Sequence, residues 1–252
     1  MSVTRDDISV EYDRSNAVRD TSNALMYSSM AVAFIRLFLH GKAFDICSAI
    51  LICLSIAYVV LSVIDDCWLW YSAESARRTD AIANGLGINM QEYCTEGYYN
   101  NDAMPSRTRY ALNQFESSFF SRNNSRQMLR FEWIKALTVI ALLPLTYIVT
   151  EDSDALLLIT QTVFSSSVIG SFADLTCFSA KMGNIYDRFY NEFVTIGIET
   201  DSQIIMLLAW SVEYEAIKAH YKVRLSARIH KTYNVVWSQQ WATICGNIRQ
   251  KD

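Results

Sequence analysis

A group of arginine, tyrosine and asparagine residues in the middle of the chain has the chemistry to bind a small nucleotide. Two arginine pairs flank a tyrosine and asparagine segment, and the group consists of Arg77, Arg78, Tyr98, Tyr99, Asn100, Asn101, Arg107 and Arg109. Guanidinium groups bind phosphate oxygens through paired hydrogen bonds. Tyrosine rings can stack on bases, and asparagine amides can hydrogen-bond to base edges. The sequence therefore predicts a nucleotide site here, although arginines beside membrane helices are also expected from topology alone.

Polar residues within or beside apolar stretches form a second set, which would line a pore or mediate helix packing. The set consists of Arg36, Pro144, Ser165, Ser166, Ser167 and Ser171. Small hydroxyl side chains allow close helix approach in lipid, and they equally suit a polar path. For Arg36 we favour snorkelling to the outer interface, because a central arginine costs about 2.5–3.5 kcal/mol on insertion scales. Pro144 predicts a kink in its helix.

The sequence has no pattern typical of an enzyme. The three histidines, His40, His220 and His230, belong to no recognisable catalytic or zinc-binding motif. The six cysteines include no CxxC pair and no Cys/His cluster, so neither a metal site nor disulfides are expected. We therefore predict a non-enzymatic protein without catalytic residues, metal, cofactor or DNA partner.

Four apolar stretches must position these residues. Hydrophobic residues make up 51% of the chain and are concentrated in these stretches. The stretches at 46–64 and 155–173 are uncharged, and their 19 residues approach the ~20 that a membrane-spanning helix needs. A third stretch, at 136–150, is shorter, and the fourth, at 24–39, is interrupted by an arginine. Their grouping in two pairs predicts two transmembrane hairpins.

Charge asymmetry predicts the orientation of these hairpins. The short connection at 151–154 reads Glu-Asp-Ser-Asp, and the one near 40–45 carries Lys42 as its one lysine or arginine. The segments before, between and after the hairpins carry most of the arginines and lysines. Under the positive-inside rule, both termini and the middle segment are cytoplasmic. The first 20 residues are polar, so no cleaved secretory signal is expected.

The predicted fold class is an all-α membrane protein with four transmembrane helices, a cytoplasmic helical insert and a C-terminal helical bundle. Two prolines and eight glycines among 252 residues favour long helices. The predicted regions are a polar N-terminal tail (1–20), hairpin 1 (21–65), the insert (66–130), hairpin 2 (131–175) and the C-terminal helical region (176–252).

This plan resembles the four-transmembrane (S-4TM) effectors associated with prokaryotic cyclic-oligonucleotide synthases. The local likeness lies in the runs RRTDAIAN at 77–84 and EGYYNN at 96–101. The C-terminal tail is only loosely similar. The resemblance implies an anti-phage role, in which a cyclic nucleotide made on infection binds the effector. The effector then assembles or opens, permeabilises the inner membrane and kills the infected cell, an outcome called abortive infection.

The function expected from this resemblance is that of an oligomeric pore-forming or membrane-disrupting effector, gated by a cyclic nucleotide on the cytoplasmic side. Its expected partners are the lipid bilayer of the prokaryotic inner membrane, further copies of the chain and a cyclic oligonucleotide. The alternative is a non-conducting membrane anchor or scaffold that recruits a protein partner through its cytoplasmic helices. A transporter ranks last, because Pro144 is the one indication of a broken helix.

Overall fold

The computed structural model describes residues 8–36, 38–88, 98–101, 103–150 and 168–249. Every regular element in these ranges is helical, which confirms the prediction of an all-α protein. The serines at 165–167, most of the apolar stretch at 155–173 and the side chain of Pro144 lie outside this description.

The described residues form six continuous helices. They are α1 (Ser9–Arg36), α2 (Lys42–Leu86), α3 (Arg107–Thr150), α4 (Val168–Tyr190), α5 (Asp201–Tyr221) and α6 (Ala227–Arg249). A π-helical turn, Asp65–Leu69, lies inside α2, and a second π-helical segment, Asn191–Ile196, directly follows α4. The α-helix of α3 continues through Pro144 to Thr150.

The chain divides into two compact units. The hairpin unit consists of the described parts of Asp7–Ala76 and Ile134–Gly170, and the bundle unit consists of those of Arg77–Trp133 and Ser171–Asp252. The boundary in α2 therefore lies near Arg77, about three turns beyond the predicted start of the cytoplasmic insert at 66. The N-terminal region at 1–20, predicted as a polar tail or a surface helix, is helical from Ser9.

Polar contacts between α1 and α2 explain why both helices extend beyond their apolar stretches. The Tyr12 hydroxyl donates to Glu74 Oε1 at 2.7 Å. Further along the pair, the Ser22 and Ser62 hydroxyl oxygens are 2.8 Å apart. Tyr12 lies opposite the later part of α2 and Ser22 opposite an earlier part, so the two helices are antiparallel.

Asp65 is the most buried carboxylate of this contact. The Ser15 hydroxyl donates to its Oδ1 at 2.7 Å, and Arg19 Nη1 lies 4.0 Å from its Oδ2. The same guanidinium nitrogen is 3.8 Å from Asp66 Oδ1. A buried charge is costly unless it is paired and hydrogen-bonded.

A π-helical turn adds a residue to the helix and changes the direction of its side chains. Here that turn begins at Asp65, where α2 faces Ser15.

The apolar part of α2 is exposed. In the described residues, Lys42–Leu86 is the one helix both long and apolar enough to cross a membrane, with a mean hydropathy of 2.6 over its best 18 residues. None of the residues from Lys42 to Ile64 is buried within the chain. The prediction of four spans is not confirmed, since Arg36 and polar residues dilute α1 and hairpin 2 is only partly described.

The bundle unit is built around an aromatic core. Phe115 of α3 is fully buried and stacks on Phe193 with ring centroids 5.5 Å apart. The edge of Trp241 in α6 meets the same ring at 5.0 Å, and Phe189 of α4 lies at 5.8 Å. Tyr214 of α5 belongs to the same cluster. Helices α4, α5 and α6 therefore bury aromatic side chains in the same cluster as Phe115 of α3.

Replacement of Phe115 by alanine tests this core. We expect Phe115→Ala to lower the free energy of unfolding by about 3–5 kcal/mol, because it leaves a cavity between α3, α4 and α6. Denaturant unfolding of the detergent-solubilised full chain, followed by tryptophan fluorescence, measures the change. Val235→Ala, at an exposed position of α6, is the control and should stay within about 0.5 kcal/mol of the wild type. Equal stabilities for the two variants would contradict the described core.

Candidate ligand cavity

The end of α2, the segment at 98–101 and the first turns of α3 are held together in the bundle unit. A Cβ atom added at Gly85 would lie 2.6 Å from Tyr110 Cα, so only glycine permits this close approach of α2 and α3. Gly87, just past the helix end, has a φ of +67°, which favours glycine. These two glycines fix the point at which α2 stops and the chain turns back towards α3.

A cavity of about 520 Å³ lies within this unit. Its volume is in the range that small-molecule sites usually have, about 300–1,000 Å³. The lining residues are mainly polar and aromatic, and they are Arg77, Tyr98, Tyr99, Asn100, Glu116, Ser117, Phe120, Ser121, Asn124, Tyr214, Lys218, Leu225, Ala227, His230, Asn234 and Ser238.

The cavity contains half of the nucleotide site predicted from the sequence. Arg77, Tyr98, Tyr99 and Asn100 line it, whereas the other four predicted residues do not. Of these four, Arg107 is exposed and Arg78 is half-buried. Arg109 Nη2 donates to Asn84 Oδ1 at 3.3 Å, and Asn101 lines a separate cavity of about 630 Å³.

Arg77 is engaged by a carboxylate of the protein. Its Nη1 donates to Glu215 Oε1 at 3.1 Å, and its Nη2 donates to the other carboxylate oxygen. Each side chain is only 14% exposed. Removing one partner of such a pair leaves the other charge poorly solvated and is strongly destabilising. Loss of activity in an Arg77→Ala variant would therefore not separate ligand binding from folding.

The two asparagines attach their segment to α3. The backbone N–H of Asn100 lies 3.1 Å from both Glu116 carboxylate oxygens, and its Nδ2 donates to Oε1 at 2.7 Å. Asn101 Nδ2 donates to Asn113 Oδ1 at 2.9 Å, and Asn113 Nδ2 donates to Asn84 Oδ1 at 2.9 Å. These amides position the cavity wall, a structural role that differs from the predicted reading of base edges.

Glu116 is the acidic group of the cavity, and its side chain is almost fully buried. Burial raises the pKa of Glu116 from 4.5 to about 7, and the hydrogen bonds from Asn100 offset only part of that effect. Burial also raises the pKa of Tyr99 well above its usual value, so its phenol is neutral. Near pH 7 the carboxyl group is therefore about half protonated, which weakens the negative charge inside the cavity.

Sequence reasoning predicted four of the sixteen lining residues, and among those that it missed are a lysine, an asparagine and a histidine. Lys218 is 9% exposed and follows Ile217 on the buried side of α5, a position where a lysine is unusual. Asn124 is 3% exposed; its Nδ2 donates to the Ser226 carbonyl at 3.1 Å, while its Oδ1 has no hydrogen-bond partner among the described residues. Partial burial lowers the pKa of His230, so its imidazole is neutral at pH 7. Of these three, only Lys218 could have been singled out from the sequence, because it is a charged residue among the apolar residues Tyr214, Ile217 and Tyr221 at helical spacing.

The cavity combines groups that suit a polar ligand with a flat ring. Tyr98 is exposed at its mouth and contacts Tyr99 edge-on, with ring centroids 5.0 Å apart. Lys218 provides an amine for an anionic group. The unpartnered Asn124 Oδ1 provides an acceptor, and a ligand donor there would remove the cost of leaving it unsatisfied.

Of the residues predicted to line a pore or to pack helices, the described side chains are those of Arg36 and Ser171. Arg36 lies in the last turn of α1, and its guanidinium carbon is 4.1 Å from the centre of the Phe44 ring. Ser171 is exposed near the start of α4.

Comparisons with protein-family models, with curated proteins and with solved structures found no match for this chain.

The raised pKa of Glu116 predicts a pH-dependent stability. A carboxyl group that binds its proton more tightly in the folded state stabilises the fold at low pH. This contribution is fully present below about pH 4.5 and is lost as the pH rises through about 7. We expect the free energy of unfolding to fall by an amount on the order of 3 kcal/mol between about pH 5 and about pH 8.

Glu116→Gln should remove most of this decline, because the amide is neutral and its oxygen can still accept from Asn100. Denaturant unfolding of the full chain at both pH values measures the effect. The control is Glu213→Gln, at an exposed carboxylate that pairs with Arg188 at 2.8 Å on the surface, and it should keep the wild-type slope. An unchanged slope in Glu116→Gln would show that this carboxyl group is not the one that titrates.

Proposed function

We propose that this protein is a membrane-embedded effector whose cytoplasmic helical bundle binds a cyclic nucleotide and thereby permeabilises the prokaryotic inner membrane. The observation that carries the proposal is the cavity in the bundle unit, where Lys218, Asn124 and Tyr98 supply a cation, an unpartnered acceptor and an aromatic face. The proposal includes four spanning helices, cytoplasmic termini and assembly of several chains around the pore, with abortive infection as the consequence.

The exposed apolar face of α2 supports the membrane part of the proposal. Ile46, Ile52 and Ile56 are all exposed, and the whole segment from Lys42 to Ile64 has no buried residue. Each such side chain gains about 1.5–3 kcal/mol when it is removed from water. A bilayer provides that gain along the entire helix, because the segment is long enough to cross it.

Arg36 fits the outer interface in this arrangement. Its guanidinium group lies over the Phe44 ring, at the turn between α1 and α2. An arginine stacked on an aromatic ring keeps its charge at the edge of the apolar segment, where headgroups and water solvate it. This position supports the snorkelling interpretation over a place in the pore.

A nucleotide in the cavity would have three types of contact. Tyr98 and Phe120 offer aromatic faces for a base, and Lys218 offers an amine for a phosphate. Asn124 Oδ1 offers an acceptor for an exocyclic amino group. To open a pore, the nucleotide must bind the open assembly more tightly than the closed one.

The alternative function is a non-conducting anchor that recruits a partner protein. Val235 and Val236 favour it, because both are exposed on α6 and form an apolar pair on an otherwise polar surface. A membrane anchor of this kind would present the bundle unit to its partner and would leave the bilayer intact.

Dye release from liposomes separates these two functions. The purified chain is reconstituted and tested alone and with a panel of cyclic di- and trinucleotides. The effector proposal predicts release with one or a few of these nucleotides and none without them. Intact liposomes under every condition, with insertion of the chain verified by alkaline extraction, would favour the anchor.

Lys218→Met tests whether the ligand occupies this cavity. Methionine keeps the length and volume of the lysine stem but removes the charge, so nucleotide affinity should fall about tenfold or more. Calorimetric titration of the active nucleotide into the detergent-solubilised chain measures the change. Lys231→Met, at an exposed position of α6, should bind like the wild type. Unchanged affinity in Lys218→Met would place the ligand elsewhere.

A further inference from the structure

Three arginines that do not line the cavity lie along one face of α3. They are Arg122, Arg126 and Arg130, and their four-residue spacing brings them onto the same side of the helix. The side chain of Arg122 is 19% exposed, whereas Arg126 and Arg130 are exposed. Together they form a basic stripe about two turns long.

Helix α4 forms one wall of the stripe. The Arg122 guanidinium carbon lies 4.2 Å from the centre of the Tyr186 ring, which holds that side chain in place. One turn further along α3, Arg126 Nη2 lies 3.7 Å from the point where a Cβ atom of Gly183 would be. The Arg126 guanidinium group therefore lies beside Gly183 of α4, and the Arg126 side chain is exposed to solvent.

The positive charge of the stripe is largely uncompensated. Among the described residues, the one carboxylate in ion-pair contact with it is Asp187, whose Oδ1 is 4.0 Å from Arg122 Nη2 and whose side chain is 66% exposed. Arg126 and Arg130 have no ion pair within the described ranges. Burial and the neighbouring charge of Arg122 both lower the pKa of Arg126. A bound anion would relieve this repulsion.

The residues after Arg130 indicate which kind of anion the three arginines would meet. Phe131 and Trp133 are exposed directly after Arg130, and the chain then enters the apolar stretch at 136–150. Exposed tryptophan beside an apolar helix is typical of the membrane interface. Basic residues on the cytoplasmic side of such a helix are attracted to anionic headgroups, and each one strengthens binding about fivefold.

We propose that Arg122, Arg126 and Arg130 form a binding site for the phosphate groups of anionic phospholipids in the cytoplasmic leaflet. This inference rests on the membrane location given under the proposed function. The site is separate from the nucleotide cavity, since none of its three arginines lines that cavity. The arginines bind a phosphate group, and the exposed Phe131 and Trp133 favour the phosphate of a phospholipid over free phosphate.

The double variant Arg126→Gln/Arg130→Gln tests the site and leaves the Arg122 contact with Tyr186 in place. Short-chain phosphatidylglycerol is titrated into the detergent-solubilised full chain, with phosphatidylcholine and inorganic phosphate as comparison ligands. We expect the wild type to prefer phosphatidylglycerol, and the double variant to bind it about thirtyfold more weakly. Arg228→Gln/Lys231→Gln, two exposed positions on α6, is the matched control and should retain wild-type affinity.

Equal phosphatidylglycerol affinity in the double variant and the wild type would overturn the site. Inorganic phosphate that competes at the same concentration as the lipid would show a free-anion site and would overturn the assignment to lipid. Alkaline extraction of cell membranes measures whether the chain is embedded in the membrane, independently of any lipid preference, and so tests the proposed location separately. A wild-type chain released by extraction would contradict the membrane location itself, whereas a retained chain without lipid preference would contradict only the lipid site.

Discussion

The hydrogen bonds between Glu116 and Asn100 are the contact on which the cavity depends. Glu116 is nearly fully buried in α3, and it accepts from both the backbone and the side-chain amide of Asn100. This contact fixes the segment that carries Tyr98 and Tyr99, which form one wall. The adjacent residue, Phe115, lies at the centre of the aromatic core. Core and cavity are therefore positioned by consecutive residues of one helix, and a change in either affects both.

Helix α3 buries an unusual number of polar side chains in this region. Asn113, Gln114, Ser118, Ser121, Asn124 and Ser125 are all buried beside Phe115 and Phe119. Polar groups in an apolar environment are costly unless they are hydrogen-bonded, and a network of them specifies one arrangement of the helices. Some of these groups hold neighbouring segments, as Asn113 does, while Asn124 keeps an acceptor in the cavity. Some of the buried polar side chains of α3 therefore stabilise the fold, and others are positioned to bind a ligand.

The sequence predicted the local features well and the long-range pairings poorly. The end of α2 near 84–87 could be predicted from its glycines, and the exposed apolar face from hydropathy alone. The partners of the polar first turns of α1 could not be predicted, because they are distant in sequence, as Asp65 is from Ser15 by 50 residues. The same limit applies to the candidate site, where Arg77 is paired with Glu215, 138 residues further on. Adjacent arginines and tyrosines predicted a site in this part of the chain, whereas the partners of these side chains are set by tertiary packing.

Helix α2 is one of the helices that continue from one unit into the other, as α3 and α4 also do. Its apolar segment, Lys42–Ile64, belongs to the hairpin unit, whereas its last turns belong to the bundle unit, where Arg77 lines the cavity. A continuous helix transmits displacement along its axis, and a π-helical turn is a place where such a helix can change its register. That turn, Asp65–Leu69, lies between the two parts, and Ser15 holds its first residue. A ligand that altered the Arg77–Glu215 pair would therefore act on the same helix whose apolar segment is proposed to cross the bilayer.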